Sequence, residues 1–135
     1  MEMTYDRLNT EDLRGTTHTD YLVAIDARFR LADGEVPIYD EPGFPVVELA
    51  RSLLIWLSDP GRDDFEFDSM AYEDVGAITV RQVATGWEFG SVFASDVVTA
   101  PVDWEEVDRC CRSFIARVEA DLSMLGLDPD EVVRQ

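Results

Sequence analysis

Asp64-Phe65-Glu66-Phe67-Asp68 alternates carboxylates with phenylalanines, and this alternation predicts a half-buried β-strand. Successive side chains of a strand point to opposite faces of the sheet, so both phenyl rings face one way and the three acids the other. The segment therefore predicts a strand with an apolar inner face and an anionic outer face. The elements that cover the apolar face decide the rest of the fold.

Three consecutive antiparallel strands are expected around this segment. They span residues 65–70, 77–83 and 87–94. On the third strand, Trp87, Phe89 and Phe93 fall on one face by the period of two. We expect all three rings to point into the core.

The residues before this region predict a β-hairpin. Residues 21–31 alternate apolar and polar side chains, which indicates a half-buried strand. Asp33-Gly34 follows, and this dipeptide between apolar runs is typical of a two-residue hairpin turn. The returning strand, residues 36–39, contains Pro37, which confines it to the edge of a sheet.

Two amphipathic helices are predicted from apolar residues at helical spacing. The first spans residues 46–57 and follows Pro45, a residue suited to a helix start. The second begins at Asp103, a natural N-cap with Glu106 three residues later, and ends near Gly126. Its apolar stripe consists of Val107, Cys111, Phe114, Ile115, Val118, Leu122 and Leu125.

The resulting order β-β-α-β-β-β-α is typical of an α+β domain. Because the strands connect as hairpins, we expect a single layer of largely antiparallel sheet, with about five strands, covered on one face by two helices. The domain is predicted to span residues 21–126. Residues 1–20 are predicted to form an irregular N-terminal arm, and residues 127–135 a loose C-terminal tail.

The charge is extreme, with 29 acids against 11 bases and a formal net charge of −18. Nucleic acid and anionic membranes are disfavoured as partners because phosphate groups require the opposite sign. A basic protein is the partner that such a field suits. A GC-rich genome or a salt-adapted proteome would also impose this composition, whatever the function.

Catalytic signatures are missing from the sequence, so we expect no enzyme, no cofactor and no metal site. His18 is the only histidine and lies in the predicted arm, where we expect an exposed imidazole. Cys110 and Cys111 are neighbours in the second helix, so their side chains diverge and favour a structural role. With no signal segment and no long apolar run, a cytoplasmic location is expected.

The acids of the opening segment and of the connection after it are the predicted partner-binding residues. These are Asp64, Glu66, Asp68, Glu73 and Asp74. Alternate acids on a strand lie about 7 Å apart, too far for convergence on one Ca²⁺ or Mg²⁺ ion. A row of basic side chains from a partner could pair with them, as could arginines of neighbouring strands or water.

Four segments of the chain carry a resemblance to a known family. They are Phe44-Pro45-Val46-Val47-Glu48-Leu49-Ala50, Phe65-Glu66-Phe67-Asp68-Ser69-Met70, Gly86-Trp87-Glu88-Phe89-Gly90-Ser91-Val92-Phe93 and the helix opening at Asp103-Trp104. Together these segments resemble a family of small acidic actinobacterial proteins of uncharacterised function. In size, acidity and α+β composition the chain also resembles the immunity proteins of bacterial polymorphic toxins. That resemblance implies a protein that binds and blocks a toxin, commonly a basic nuclease.

The leading hypothesis is therefore a non-enzymatic immunity-type inhibitor that docks on a basic protein. The alternative is a small-molecule-binding or regulatory domain that uses a cavity between the sheet and the helices. A third reading is a salt-adapted domain without a specific partner. Association that weakens strongly with salt favours the first, and stabilisation by a metabolite independent of salt favours the second.

Overall fold

A computed structural model describes residues 1–15 and 17–134 of the chain. Six strands, one 3-10 turn and four helices alternate along these residues. The strands are β1 (Glu2–Asn9), β2 (Asp26–Asp33), β3 (Val36–Phe44), β4 (Phe65–Glu66), β5 (Thr79–Val83) and β6 (Gly86–Gly90). The helices are α1 (His18–Ala24), α2 (Val46–Ser58), α3 (Trp104–Met124) and α4 (Pro129–Val132), and the 3-10 turn is Val92–Ala94.

The α+β class is confirmed, but the single five-stranded layer is wrong. The strands form two antiparallel three-stranded sheets, with the orders β1-β2-β3 and β4-β5-β6. β4 pairs only with β5 and ends at Glu66 instead of Met70. Ser69 and the Met70 backbone amide bond the Glu48 carboxylate of α2, so this stretch turns toward a helix instead of continuing the strand.

The expectation of an irregular N-terminal arm is also wrong. β1 pairs antiparallel with β2, with Met3 opposite Leu31 and Tyr5 opposite Phe29. Met3 and Tyr5 are buried while their neighbours alternate outward, so the strand covers part of the core. The five residues from Glu2 to Asp6 already alternate in the sequence, a short signal that the polar surroundings obscured.

The predicted strand over residues 21–31 begins later than expected. α1 occupies His18–Ala24, and its start is fixed by a capping box between Thr17 and Asp20. Val23 is consequently 50% exposed. From Asp26 onward the alternation is confirmed, because Ala27, Phe29 and Leu31 are all buried.

Both long helices occur where the sequence predicts them, and the hairpin turn lies one residue later than predicted. α2 begins at Val46 and α3 at Trp104, with the Asp103 side chain accepting the Glu106 backbone N–H at 2.9 Å. Gly34 and Gly126 both have positive φ, +61° and +80°, as the hairpin turn and the helix end require. Leu125, the last member of the predicted stripe, is 46% exposed.

The C-terminal residues are ordered against the domain, contrary to the predicted loose tail. α4 packs Val132 into the core together with Val133, which follows it. The His18 imidazole donates its Nε2–H to the Val132 carbonyl at 2.7 Å and thereby joins α1 to α4. The only histidine is therefore half-buried and positioned, not freely exposed.

Aromatic side chains join the two sheets through one core. Phe29 stacks on Phe44 with 4.5 Å between ring centroids, and Phe44 contacts Phe67 at 5.7 Å. Phe67 follows β4, so this chain of rings reaches from the first sheet to the second. At the other end of the core, Trp104 lies 5.4 Å from Trp56 and 5.2 Å from Trp87.

Candidate partner-binding surface

The five predicted partner-binding acids all lie at the surface. Phe65 and Phe67 are buried between them, so the predicted alternation of inner rings and outer acids holds over this segment. The structure nevertheless divides the five acids into two groups. Two of them belong to the edge of the second sheet, and three lie beyond the end of β4.

The first group is already engaged within the chain. Asp64 accepts the Gln82 backbone N–H at 2.9 Å, and Glu66 pairs with Arg81 at 3.6 Å. Both members of the ion pair are 51% exposed, so the pair contributes little to stability. These two acids therefore bond to residues of β5 and are less available to a partner.

The second group consists of Asp68, Glu73 and Asp74. Their side chains form no ion pair or hydrogen bond with other residues in the described part of the chain, and all three are exposed. They lie on the connection between β4 and β5, residues 67–78. These acids are the members of the predicted site that remain available to an external cation.

This connection is held firmly despite its irregular path. The Ser69 hydroxyl donates to Glu48 Oε1 at 2.6 Å, and the Met70 N–H donates to Oε2 at 3.0 Å. The Gly76 N–H then bonds the Phe67 carbonyl at 2.8 Å and closes the loop. Gly76 has φ +102°, a conformation that other residues rarely adopt. The acids are thus presented on a fixed support.

Exposed apolar side chains are most frequent in the part of the sequence that contains these acids. Eleven large hydrophobic residues are exposed among the described residues, and six of them fall between residues 70 and 98. We call these six the apolar patch: Met70, Val75, Val92, Phe93, Val97 and Val98. The Val92 N–H bonds the Gly76 carbonyl at 2.9 Å, which places the two contributing segments side by side. Exposed apolar groups rimmed by polar ones are typical of protein interaction surfaces.

Phe93 belongs to this patch and not to the core, so the expected inward orientation is wrong. β6 ends at Gly90, and the Ser91 side chain then accepts the Phe93 N–H and starts the 3-10 turn. The change from strand to turn breaks the period of two. Trp87 and Phe89 are buried as predicted, whereas Phe93 is 45% exposed.

An open pocket of about 370 Å³ lies where Phe93 meets the first sheet. We call it the aromatic pocket, and its lining residues are Tyr39, Glu41, Tyr72 and Phe93. The Phe93 ring is 5.4 Å from Tyr72 and 6.3 Å from Tyr39, centroid to centroid. The Tyr39 hydroxyl donates to Glu41 Oε2 at 3.4 Å. Three rings and one carboxylate therefore share a surface depression.

Burial raises the pKa of both phenols in this pocket. It is the largest cause that raises the pKa of Tyr39, and the neighbouring Tyr72 and Glu41 add to it. The pKa of Tyr72 is raised by burial first and by the Glu41 charge second. Both tyrosines therefore favour their neutral, hydrogen-bond-donating form, and Glu41 is the one carboxylic acid residue among those that line the pocket.

Burial governs the two neighbouring cysteines of α3. Cys110 and Cys111 are free and buried, and desolvation raises the pKa of Cys110 to about 11. The pKa of Cys111 is raised well above its usual range for the same reason. Among residues 1–15 and 17–134, no three His, Cys, Asp or Glu side chains come together as ligands for a metal ion.

The family comparison matches residues 1–124 to the family described as Domain of unknown function (DUF7878). The chain belongs to this family. The matched residues include both sheets, the apolar patch and the aromatic pocket, so these features lie inside the family's domain. No curated protein and no solved structure matches the chain. Every helix in the described residues is too short or too polar to cross a bilayer.

The aromatic pocket is the feature that sequence reasoning missed. Tyr39 and Glu41 are on β3, Tyr72 lies in the connection between β4 and β5, and Phe93 lies in the 3-10 turn, so no local pattern connects them. One signal was present: Tyr72 is an isolated aromatic residue within the polar stretch Ala71-Tyr72-Glu73-Asp74. An aromatic side chain in such a stretch often reaches back to the core, and Tyr72 lies 6.1 Å from Phe44, centroid to centroid, while it also lines the aromatic pocket.

Proposed function

We propose that this protein is a non-enzymatic, cytoplasmic binding protein, an immunity-type inhibitor that docks on a basic protein such as a bacterial toxin or nuclease. One observation carries the proposal. The connection that contributes Met70 and Val75 to the apolar patch also carries three exposed acids, Asp68, Glu73 and Asp74, which have no charged partner among the described residues. The actinobacterial origin suggested by the sequence resemblance forms part of the same proposal.

The two components of this surface serve different purposes in association. Apolar side chains at the centre of an interface supply most of the affinity when a partner removes them from water. Charged side chains at the rim speed the encounter and select the partner by sign. An apolar patch with acids at one edge therefore suits a partner whose own apolar contact has lysines and arginines beside it.

The charge balance of the whole chain supports a basic partner. Seven of the eleven arginines already pair with acids of the chain: Arg28, Arg30, Arg81, Arg109, Arg112, Arg117 and Arg134. The formal charge of −18 leaves most acids without an internal cation. An inhibitor with this field would cover the cationic surface with which a nuclease holds its substrate.

Capture followed by a matched variant comparison tests the proposal. The purified protein is immobilised, host lysate is applied at low salt, and retained proteins are eluted with a salt gradient and identified. Each retained protein is then purified, and its binding is measured against two triple variants. One variant removes the proposed rim (Asp68→Asn, Glu73→Gln, Asp74→Asn), and the control removes three exposed acids elsewhere (Glu35→Gln, Glu105→Gln, Glu131→Gln).

Both variants lose three negative charges, so the long-range field changes equally. We expect a basic protein whose dissociation constant rises about tenfold or more with the rim variant and much less with the control. If the two variants weaken binding equally, this surface is not the partner-binding site. If no basic protein is retained, the inhibitor proposal fails, and a thermal-shift screen with metabolites then tests the alternative of a small-molecule-binding domain.

A further inference from the structure

We propose that the aromatic pocket receives the guanidinium group of an arginine side chain from the basic partner. This inference rests on the proposed function and specifies how one residue of the partner is held. The pocket adjoins the proposed rim, because Glu73 and Asp74 directly follow Tyr72 in the chain. The acids of the rim and the pocket would thus meet neighbouring cations of one basic surface.

The chemistry of the pocket is that of a cation site. Aromatic faces carry negative partial charge and attract a guanidinium or ammonium group within about 6 Å of the ring centre. Glu41 adds a carboxylate at the edge of the aromatic pocket. Its carboxylate receives the Tyr39 hydroxyl and forms no ion pair with any arginine in the described residues. A cation in this pocket must therefore come from outside the described chain.

Another part of the chain contains a tyrosine and a carboxylate that are hydrogen-bonded to each other and contacted by an arginine. The Tyr5 hydroxyl donates to the Asp121 carboxylate, and Arg117 lies over the Tyr5 ring at 4.1 Å from its centroid. Arg117 also approaches Asp121 to 3.9 Å. Tyrosine, carboxylate and arginine thus form a trio in which the cation touches both other members. Tyr39 and Glu41 form the first two members of such a trio and lack the third.

The shape of the pocket favours a side chain over a free metabolite. Sites for small molecules bury most of the ligand surface, whereas this pocket is a shallow depression open to solvent. A side chain needs only its tip covered, since the partner protein supplies the remaining contacts. Arginine is favoured over lysine because its planar, weakly hydrated guanidinium can stack on a ring while its edge donates to a carboxylate.

Capped tripeptides test the pocket without any partner. The probes are acetyl-Gly-Arg-Gly-amide, the lysine analogue, and the citrulline analogue, which has nearly the shape of arginine without its charge. Binding is followed by NMR through the ring signals of Tyr39, Tyr72 and Phe93. We expect saturable shifts with the arginine peptide and at least about fivefold weaker binding of the citrulline peptide. Equal binding of the two peptides, or tighter binding of the lysine peptide, would overturn the assignment to arginine.

Single variants locate the binding. Glu41→Gln and Phe93→Leu should each weaken binding of the arginine peptide by about two- to fivefold, since each removes one group that would contact the guanidinium. Tyr72→Leu provides a second ring variant. Glu105→Gln, an exposed acid on α3, changes the net charge equally and should leave the affinity within error. If Glu105→Gln weakens peptide binding as much as Glu41→Gln does, the peptide is attracted by the overall negative charge of the protein. That result would contradict specific binding in the aromatic pocket.

The results separate the pocket from the proposed function. If the arginine peptide binds specifically but no basic protein partner is found, the inhibitor role is refuted, and so is the proposal that the arginine comes from such a partner. The pocket is then still a site for a guanidinium group. A basic partner whose affinity is unchanged by Glu41→Gln and by Phe93→Leu refutes the pocket and leaves the inhibitor role intact. Circular dichroism of each variant establishes that the fold is retained.

Discussion

Glu48 is the residue through which α2 positions the candidate surface, and its removal gives the most informative test of the fold. Its side chain is only 6% exposed and accepts two hydrogen bonds, from the Ser69 hydroxyl and the Met70 N–H. Ser69 Oγ in turn accepts the Ala71 N–H at 3.0 Å. One buried carboxylate therefore organises three consecutive residues at the start of the β4–β5 connection.

Glu48→Ala removes both bonds and leaves two donors in a small cavity. A hydrogen bond to a charged acceptor contributes about 1.5–3 kcal/mol. Since Met70 is exposed, water can reach part of the vacated site and recover some of this loss. We expect the free energy of unfolding to fall by about 3 kcal/mol. Glu48→Gln keeps the shape but has only one acceptor oxygen, so we expect about half that loss.

Urea unfolding measures the overall effect, and amide hydrogen exchange measures the local one. We expect the amides of Met70 and Ala71 to exchange markedly faster in Glu48→Ala. Amides of the β2–β3 hairpin should lose no more protection than the fall in the global free energy of unfolding accounts for. Ser69→Ala should reproduce part of the local effect. If Glu48→Ala unfolds at the same urea concentration as the parent and Met70 keeps its protection, the described anchoring of the connection is wrong.

Three further predictions concern the core, the thiols and the net charge. Phe67→Ala should destabilise the protein by about 3–5 kcal/mol, whereas Phe93→Ala should cost less than about 1 kcal/mol in the same urea assay; equal losses would contradict the surface placement of Phe93. A thiol reagent at pH 8 should leave Cys110 unmodified until denaturant is added. Because burial raises the pKa of Cys110 to about 11 from 9.0, the folded state holds this proton more tightly than the unfolded state. Stability should therefore fall as pH rises from about 9 to 11, with a shallower decline in Cys110→Ala, and an unchanged slope in that variant would refute the attribution. Raising NaCl from 20 to 200 mM should increase the unfolding midpoint, because salt screens the repulsion within a chain of charge −18; a lower midpoint would show that salt mainly weakens attractive pairs.

Local patterns predicted the elements that local interactions control. The start of α3 depends on one side chain and a backbone amide three residues away, and the sequence places Asp103 and Glu106 accordingly. The β2–β3 turn likewise depends on the conformational freedom of Gly34, although the turn consists of Gly34 and Glu35, one residue later than the predicted Asp33-Gly34, because Asp33 still pairs with Val36. Alternation in β2 follows from burial of one face, so Phe29 and Leu31 point inward as predicted.

The misplaced elements depend on contacts between residues distant in sequence. β1 is stabilised by pairing with β2, whose partner residues lie 17 to 30 positions further along the chain, and a polar five-residue alternation alone was too weak to indicate it. β4 is cut short by Glu48, which no pattern around Phe65 contains. α4 is ordered because His18 and the core receive Val132, a contact across most of the chain.

The candidate surface shows the same division. The sequence by itself determined the acidity, the outward direction of Asp64, Glu66 and Asp68, and the absence of lysine, because composition and the period of a strand are local properties. Only the tertiary structure decided which acids are engaged, through the pairing of Glu66 with Arg81, and that Phe93 and Tyr72 meet Tyr39 and Glu41 in one pocket. These contacts arise from the packing of the two sheets around α2 and α3, which depends on the whole chain at once.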